Sequence, residues 1–253
     1  MKVIQAKDWT AVMEAVAQIM TEQADHLCEM DARMGDGDLG LTMKKGYCAL
    51  PEIYAGLEEA DMGKRLSKAG MKMSSVVPST MGTLMSSGWM EGGKRLIGKE
   101  EVDASAFAAF LRGFADGIAK RGKCVPGERT VLDAIFPAAD AAEQAATSGS
   151  GLEDTAAAAL EGAKRGLEST KEMTPKYGKA AVFAAMDDPY LQARSADVID
   201  IAQAILDILQ GVDNATLQGT EPSILVAEDL APSETVRMDK SLLLGFITRE
   251  GSS

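Results

Sequence analysis

Three aspartates, Asp31, Asp36 and Asp38, fall within eight residues in the run Asp31-Ala-Arg-Met-Gly-Asp-Gly-Asp-Leu-Gly-Leu-Thr42. Gly35, Gly37 and Gly40 stand among them and let the backbone fold tightly enough for the carboxylates to converge. Convergent carboxylates repel one another unless a cation sits between them. Hard oxygen donors without histidine or thiolate suit Mg²⁺ or Ca²⁺ rather than Zn²⁺. The spacing is not that of an EF-hand, because no glutamate closes the loop at its twelfth position. Mg²⁺ takes few protein carboxylates and completes its shell with water and substrate phosphates, so a Mg²⁺–nucleotide site is the functional reading. The alternative is an acidic turn that caps two helices.

Three other segments could complete such a site. Pro78-Ser79-Thr80-Met81-Gly82-Thr83 is small and rich in hydroxyls, and it precedes a helix. Its N–H groups could donate to phosphate oxygens, aided by the helix dipole; plain helix capping is the alternative. Lys120-Arg121-Gly122-Lys123 with Pro126-Gly127-Glu128-Arg129-Thr130 is a basic loop that either neutralises phosphate or is a solvated turn. Lys176-Tyr177-Gly178-Lys179 is a further source of cations, or a surface loop.

The elements that must position these residues read as helices. Val12, Val16, Ile19, Met20 and Leu27 recur at helical spacing after Asp8, a candidate N-cap. Phe107, Phe110, Phe114 and Ile118 repeat the pattern after Asp103, and Val131, Leu132, Ile135, Phe136 and Ala139 do so after the Pro126-Gly127 turn. Val198, Ile201, Ala202, Ile205 and Leu209 form another face, closed by Gly211. Residues 52–73, 80–95 and 152–172 are rich in good helix formers. Strand signals are weak before residue 210. The expectation is an all-α domain of about eight helices over residues 1–210. Residues 211–223 are polar, with two glycines and a proline, and read as a linker. Residues 224–253 give a β-α-β signal too short to bury a core alone, hence an incomplete appendage.

Composition narrows the function. The chain has 253 residues, 46% hydrophobic and 25% charged, the balance of a globular protein. Its net charge of -12 argues against general nucleic-acid binding. No apolar run approaches the roughly 20 residues of a membrane span, and the N-terminus has no signal-peptide core, so a cytoplasmic protein is expected. Cys28, Cys48 and Cys124 lack metal-site spacing and read as reduced thiols. The single histidine, His26, excludes a histidine-rich metal centre, and no GxSxG elbow accompanies it. The 15 methionines, scattered on helical faces, read as core filler.

The order of Met30-Asp31, Gly35-Asp36-Gly37-Asp38-Leu39-Gly40, the segment Gly70 to Ser87, and Arg121-Gly122-Lys123 with Pro126-Gly127-Glu128-Arg129-Thr130-Val131-Leu132-Asp133 resembles the ADP-binding L subunit of dihydroxyacetone kinase. The resemblance covers residues 5–210. It implies a closed antiparallel barrel of eight helices with nucleotide held at one end through two Mg²⁺ ions. Asp31, Asp36 and Asp38 are then the metal ligands, and Leu39, Gly40, Leu41 and Thr42 border the phosphates. Thr80, Met81 and Gly82 form the small-residue loop against the nucleotide, and Gly122 and Val131 line the base pocket. Lys179 takes the place of a basic residue near the phosphates, and Asp188-Pro189 that of a nucleotide-side Asp-Pro-Gly. No catalytic side chain beyond these ligands is implied. The chemistry implied is transfer of a terminal phosphoryl group from ADP/ATP chemistry to dihydroxyacetone or a related small ketose, which a K-type subunit holds on a histidine. In one branch of the family ATP exchanges as substrate. In the other, ADP stays bound and a phosphohistidine protein of the sugar phosphotransferase system rephosphorylates it.

This chain departs from the family at Leu39, where many members carry histidine, at Thr42, where they carry asparagine, and at Tyr190, where glycine is usual. A relative acting on another ketose or polyol, or a non-catalytic nucleotide-binding regulatory paralogue, is the alternative. Residues 224–251 resemble the phosphohistidine domain of enzyme I of the sugar phosphotransferase system, and the sequence stops before the active histidine of that domain. The expectation is a truncated fusion or fragment whose tail favours the phosphoenolpyruvate-coupled branch.

Overall fold

The computed structural model describes residues 3–32, 35–178 and 181. All of them belong to the first of two compact units, residues 1–221. The described residues form eight α-helices, a 3-10 turn at Thr170–Glu172 and one two-stranded ladder. The helices are α1 (Trp9–Glu22), α2 (Ala24–Asp31), α3 (Leu39–Ala55), α4 (Met62–Val76), α5 (Thr80–Lys94), α6 (Ala104–Gly122), α7 (Leu132–Thr147) and α8 (Leu152–Ser169). The ladder pairs β1 (Ile4–Gln5) antiparallel with β2 (Glu101–Val102), in the register Ile4 to Val102.

Side-chain caps start the helices where the sequence supplies short polar residues. Asp61 accepts from Lys64 N at 2.8 Å, Ser79 from Gly82 N at 3.0 Å, and Asp103 from Ala106 N at 2.8 Å. Asp8 behaves differently. It precedes α1, but its carboxylate turns back to accept from Gln5 N at 2.8 Å. Helix α6 ends with Lys120 and Arg121 in its last turn, which suits the negative end of its dipole, and with Lys123 in the left-handed region at φ 54°.

Two expected boundaries move. The first helix breaks at Gln23 into α1 and α2, and the stretch 52–73 divides between α3 and α4. Helix α3 is a full element, carries Pro51 inside it, and follows the acidic loop directly.

Neighbouring helices run antiparallel. On α4 and α5, Gly63 faces Gly93 while Gly70 faces Trp89. On α5 and α6, Gly92 faces Phe110 and Gly88 faces Phe114. On α7 and α8, Gly162 faces Pro137 and Gly166 faces Asp133. The backbones approach closely at these points: a Cβ on Gly70 would stand 2.7 Å from the Trp89 Cβ, and one on Gly117 would stand 2.3 Å from Ser87 O. Arg112 on α6 bonds Glu143 on α7 through Nε at 2.9 Å and Nη2 at 2.6 Å, and also reaches Asp140. Tyr54 near the end of α3 donates to Ala6 O at 2.9 Å, before α1 begins, so α1 and α3 are antiparallel too.

The core is aromatic at its centre. Trp9 and Phe110 rings lie 5.2 Å apart, Trp89 and Phe110 5.6 Å, and Trp89 and Phe114 6.0 Å. Leu50, Leu66, Met85, Ile118 and Leu132 are fully buried around them. This alternation places the start of α3, the end of α4, the start of α5, the end of α6, the start of α7 and the end of α8 at one end of the array.

The all-helical expectation thus holds for the described residues, with the ladder as the one addition. They show an antiparallel array and not the closing seam of a barrel. The helix expected at 198–209, the linker at 211–223 and the β-α-β and enzyme I-like tail at 224–253 lie outside the described residues. Among the described residues, no helix is long and apolar enough to cross a membrane.

Candidate functional site

The acidic loop folds as its glycines require. Gly37 adopts φ +75°, and a Cβ on Gly35 would stand 2.0 Å from Asp31 Oδ1. Asp31 is the last residue of α2, and Asp38 immediately precedes α3. Asp31, Asp36 and Asp38 each present a carboxylate oxygen, and these oxygens all lie within 4.8 Å of one another. Asp31 is half-buried; Asp36 and Asp38 are exposed. Asp31 Oδ2 also accepts the N–H groups of Asp38 at 3.1 Å and Leu39 at 3.3 Å, so it caps α3 across the loop. The capping reading and the metal reading therefore meet in one residue.

Three anionic groups this close fit a hard divalent cation. Around Mg²⁺, bonds of about 2.1 Å place neighbouring oxygens about 3 Å apart and opposite ones about 4.2 Å apart, separations that fit inside the 4.8 Å that contains these three oxygens. All donors are carboxylates, without a soft ligand, which suits Mg²⁺ or Ca²⁺.

The residues after the loop form the first turn of α3. Leu39 is buried, Leu41 is 62% exposed, and Thr42 N donates to Asp38 O at 3.0 Å. Gly40 is there for packing: its Cβ would stand 1.8 Å from Ala24 O, at the start of α2. Thr80 and Met81 open α5, where first-turn N–H groups have no intrahelical acceptor. Gly82 gives its N–H to Ser79 and sits with its Cβ position 2.3 Å from Val77 O.

Gly122 ends α6, and Val131 is buried just before α7. A Cβ on Gly122 would stand 2.9 Å from Cys124 Sγ and 3.2 Å from Leu84 Cδ2, one turn along α5 from Thr80. The loop between them is fixed by Asp133, a buried carboxylate that accepts from Thr130 N at 2.6 Å and from Gly127 N. Glu128 accepts from Val125 N at 2.8 Å and pairs with Lys176 at 3.2 Å. The Val125 N–H first, and Lys176 after it, hold the Glu128 carboxyl below the ordinary carboxylate range. Burial pushes the Cys124 thiol up, which keeps it protonated and unreactive.

One end of the array therefore gathers the acidic loop, the α5 N-terminus and the basic loop. Lys179 and Asp188 lie outside the described residues. The supporting roles of Asp133 and Glu128 are not visible in the sequence, where both read as helix-start or turn residues. A groove of about 600 Å³ between α1 and α3, lined by Thr10, Glu14, Thr21 and Cys48 among others, runs along the flank and not across this end.

The DAK2 domain profile matches residues 33–200. The chain belongs to the DAK2-domain family. Its relatives include the ADP-binding subunit DhaL of PEP-dependent dihydroxyacetone kinase 1 from Listeria innocua, 29% identical over 195 residues that cover 77% of this chain and 88% of that one. D-erythrulose kinase from Mycolicibacterium smegmatis is 30% identical over 173 residues, 68% of this chain and 30% of its own length. The DAK2 chain thus spans less than a third of that larger kinase. Among solved structures it is similar to the dihydroxyacetone kinase from C. freundii in complex with AMP-PNP and Mg²⁺, with a TM-score of 0.57 and 20% identity over 81% of this chain and 33% of that one. That likeness is one of fold.

Proposed function

We propose that this DAK2 chain is the nucleotide-holding subunit of a dihydroxyacetone kinase-type phosphotransferase. The observation that carries the reading is the convergence of Asp31, Asp36 and Asp38 within 4.8 Å, at the end of the array where α3 and α5 begin. Those carboxylates would hold two Mg²⁺ ions, which supply charge neutralisation and alignment for the terminal phosphoryl group. The first turns of α3, from Leu39 to Thr42, and of α5, at Thr80 and Met81, face the same end; with the Leu39 and Thr42 N–H groups committed to Asp31 and Asp38, those of Gly40, Leu41, Thr80 and Met81 suit phosphate oxygens. Gly82 lets the first turn of α5 pack tightly on Val77, and in this reading Gly122 and Val131 border the space for the base. Lys179 and Asp188 complete the phosphate side in this reading.

Nothing in the described cluster acts as a covalent nucleophile toward a ketose. The proposal therefore assigns substrate binding to a separate K-type subunit and assigns this chain the positioning of the phosphoryl donor. The likeness to an ADP-binding subunit of a PEP-dependent kinase supports a bound ADP; in this reading a phosphohistidine protein rephosphorylates it, in the cytoplasm. Residues 1–210 would form the nucleotide domain, 211–223 a linker and 224–253 an enzyme I-like segment.

Reconstitution tests this. The full chain is mixed with a K-type subunit, dihydroxyacetone and either ATP or phosphoenolpyruvate with its phosphohistidine carriers. Formation of phosphorylated ketose only when this chain is present is the expected result. Tight Mg²⁺-dependent nucleotide binding without any product would instead favour a regulatory paralogue.

A further inference from the structure

We propose that Glu128 is a positioning residue for the nucleobase side of the site, acting by fastening two irregular segments together. The inference rests on the nucleotide reading above and adds to it how the base pocket is held.

The loop between α6 and α7 has no regular structure of its own, and two of its non-glycine residues, Lys123 at φ 54° and Arg129 at φ 55°, are in the left-handed region. Such residues persist only where their surroundings over-determine them, and they concentrate at ligand sites. Asp133 fixes the inner side of this loop through Thr130 N and Gly127 N. The outer side is fixed by the segment after α8. Glu128 Oε1 pairs with Lys176 Nζ at 3.2 Å, and Lys176 N donates to Glu128 O at 3.3 Å. Arg129 Nη1 donates to Met173 O at 3.1 Å, and Tyr177 Oη donates to Lys123 O at 2.9 Å. Glu128 also holds the loop to itself, accepting from Val125 N at 2.8 Å. It is the residue common to the most of these links, and its side chain is only 11% exposed.

The fastened loop is flanked by Gly122 and Val131. None of these links touches the acidic loop or the first turns of α3 and α5. Unfastening should therefore loosen the wall against the base and leave the phosphate anchor in place. Loss of a preformed wall lowers apparent affinity by the fraction of time the wall is formed.

The experiment titrates ADP and inorganic pyrophosphate, each with Mg²⁺, into the full chain and into Glu128→Ala, Glu128→Gln and Lys176→Met. Lys176→Met changes a side chain that is 60% exposed and tests the link without touching the Val125 contact. ADP affinity is expected to fall about tenfold in Glu128→Ala and about threefold in Lys176→Met, with pyrophosphate affinity changed less than about twofold in both. Glu128→Gln retains an acceptor for Val125 N and should lie between the wild type and Glu128→Ala. A parallel loss of ADP and pyrophosphate affinity, or no loss of ADP affinity, would overturn the role of Glu128 while leaving the nucleotide reading intact. Failure of the unaltered chain to bind either ligand would overturn both.

Discussion

Asp31, Asp36 and Asp38 are held together by backbone geometry and not by any attraction among themselves. Gly35 and Gly37 allow the turn, and Asp31 is committed to the N–H groups of Asp38 and Leu39. Without a cation the three charges oppose one another, so neutralising one while keeping its shape and its hydrogen-bonding oxygen should relieve repulsion. Asp36→Asn is expected to leave stability in EDTA unchanged or raised by less than about 1 kcal/mol in urea denaturation, while Mg²⁺-dependent ADP affinity falls by about 100-fold. A clear loss of stability in EDTA would mean that Asp36 is structural. Gly40 gives the opposite pattern. With its Cβ position 1.8 Å from Ala24 O, Gly40→Ala must push α3 from α2. It should cost about 1–3 kcal/mol in the same denaturation, with or without metal. The acidic cluster was legible in the sequence because its three carboxylates are local. The packing role of Gly40 was not, because Ala24 meets it only after α2 and α3 have folded together.

At the scale of elements, local signals were legible where short polar residues precede apolar periodicity. Asp103 before α6 and Ser79 before α5 cap as their sequences suggest. Asp8 has the same appearance but closes a turn onto Gln5, a choice set by the β1–β2 ladder beside it. That ladder is two residues long on each strand, too short to leave an alternating pattern. The break at Gln23 carries no glycine or proline to mark it, and α3 runs through Pro51 without breaking. Asp61 shows what one cap does. It binds Lys64 N and Gly98 N, each at 2.8 Å, joining α4 to the turn after α5. Asp61→Ala should lower stability by about 1 kcal/mol at neutral pH, measured by the urea midpoint. The Lys64 N–H foremost, with the Gly98 N–H, holds the Asp61 carboxyl below its ordinary value. Its contribution is therefore present in full above the unfolded value and is lost as pH falls through the lower folded one. The difference between the wild type and Asp61→Ala should shrink as pH drops below about 4. A gap that does not change with pH would show that the carboxylate is not what caps α4.

At the scale of the molecule, antiparallel alternation does the assembling. Loops separated by some 50 residues, at 31–42, 78–83 and 122–131, arrive at one end because the helices from α3 to α8 alternate in direction. Helical periodicity made the type of the elements legible, and the family resemblance indicated which loops belong together. The links that stiffen the assembly, such as Glu128 to Lys176 and Arg112 to Glu143, join residues remote in sequence and leave no pattern within either segment. The match of the DAK2 family to residues 33–200 takes in Asp36, Asp38 and both helix-start loops, and begins two residues after Asp31. Nucleotide binding at that end, through its carboxylates, is the central expectation. The most direct measurement is calorimetric titration of ADP into the nucleotide-stripped full chain, with Mg²⁺ and with EDTA, beside Asp36→Ala. Tight binding in Mg²⁺ that disappears in EDTA and in the variant is the predicted result. ADP binding that is unchanged by EDTA and by the variant, or no binding under any condition, would contradict it.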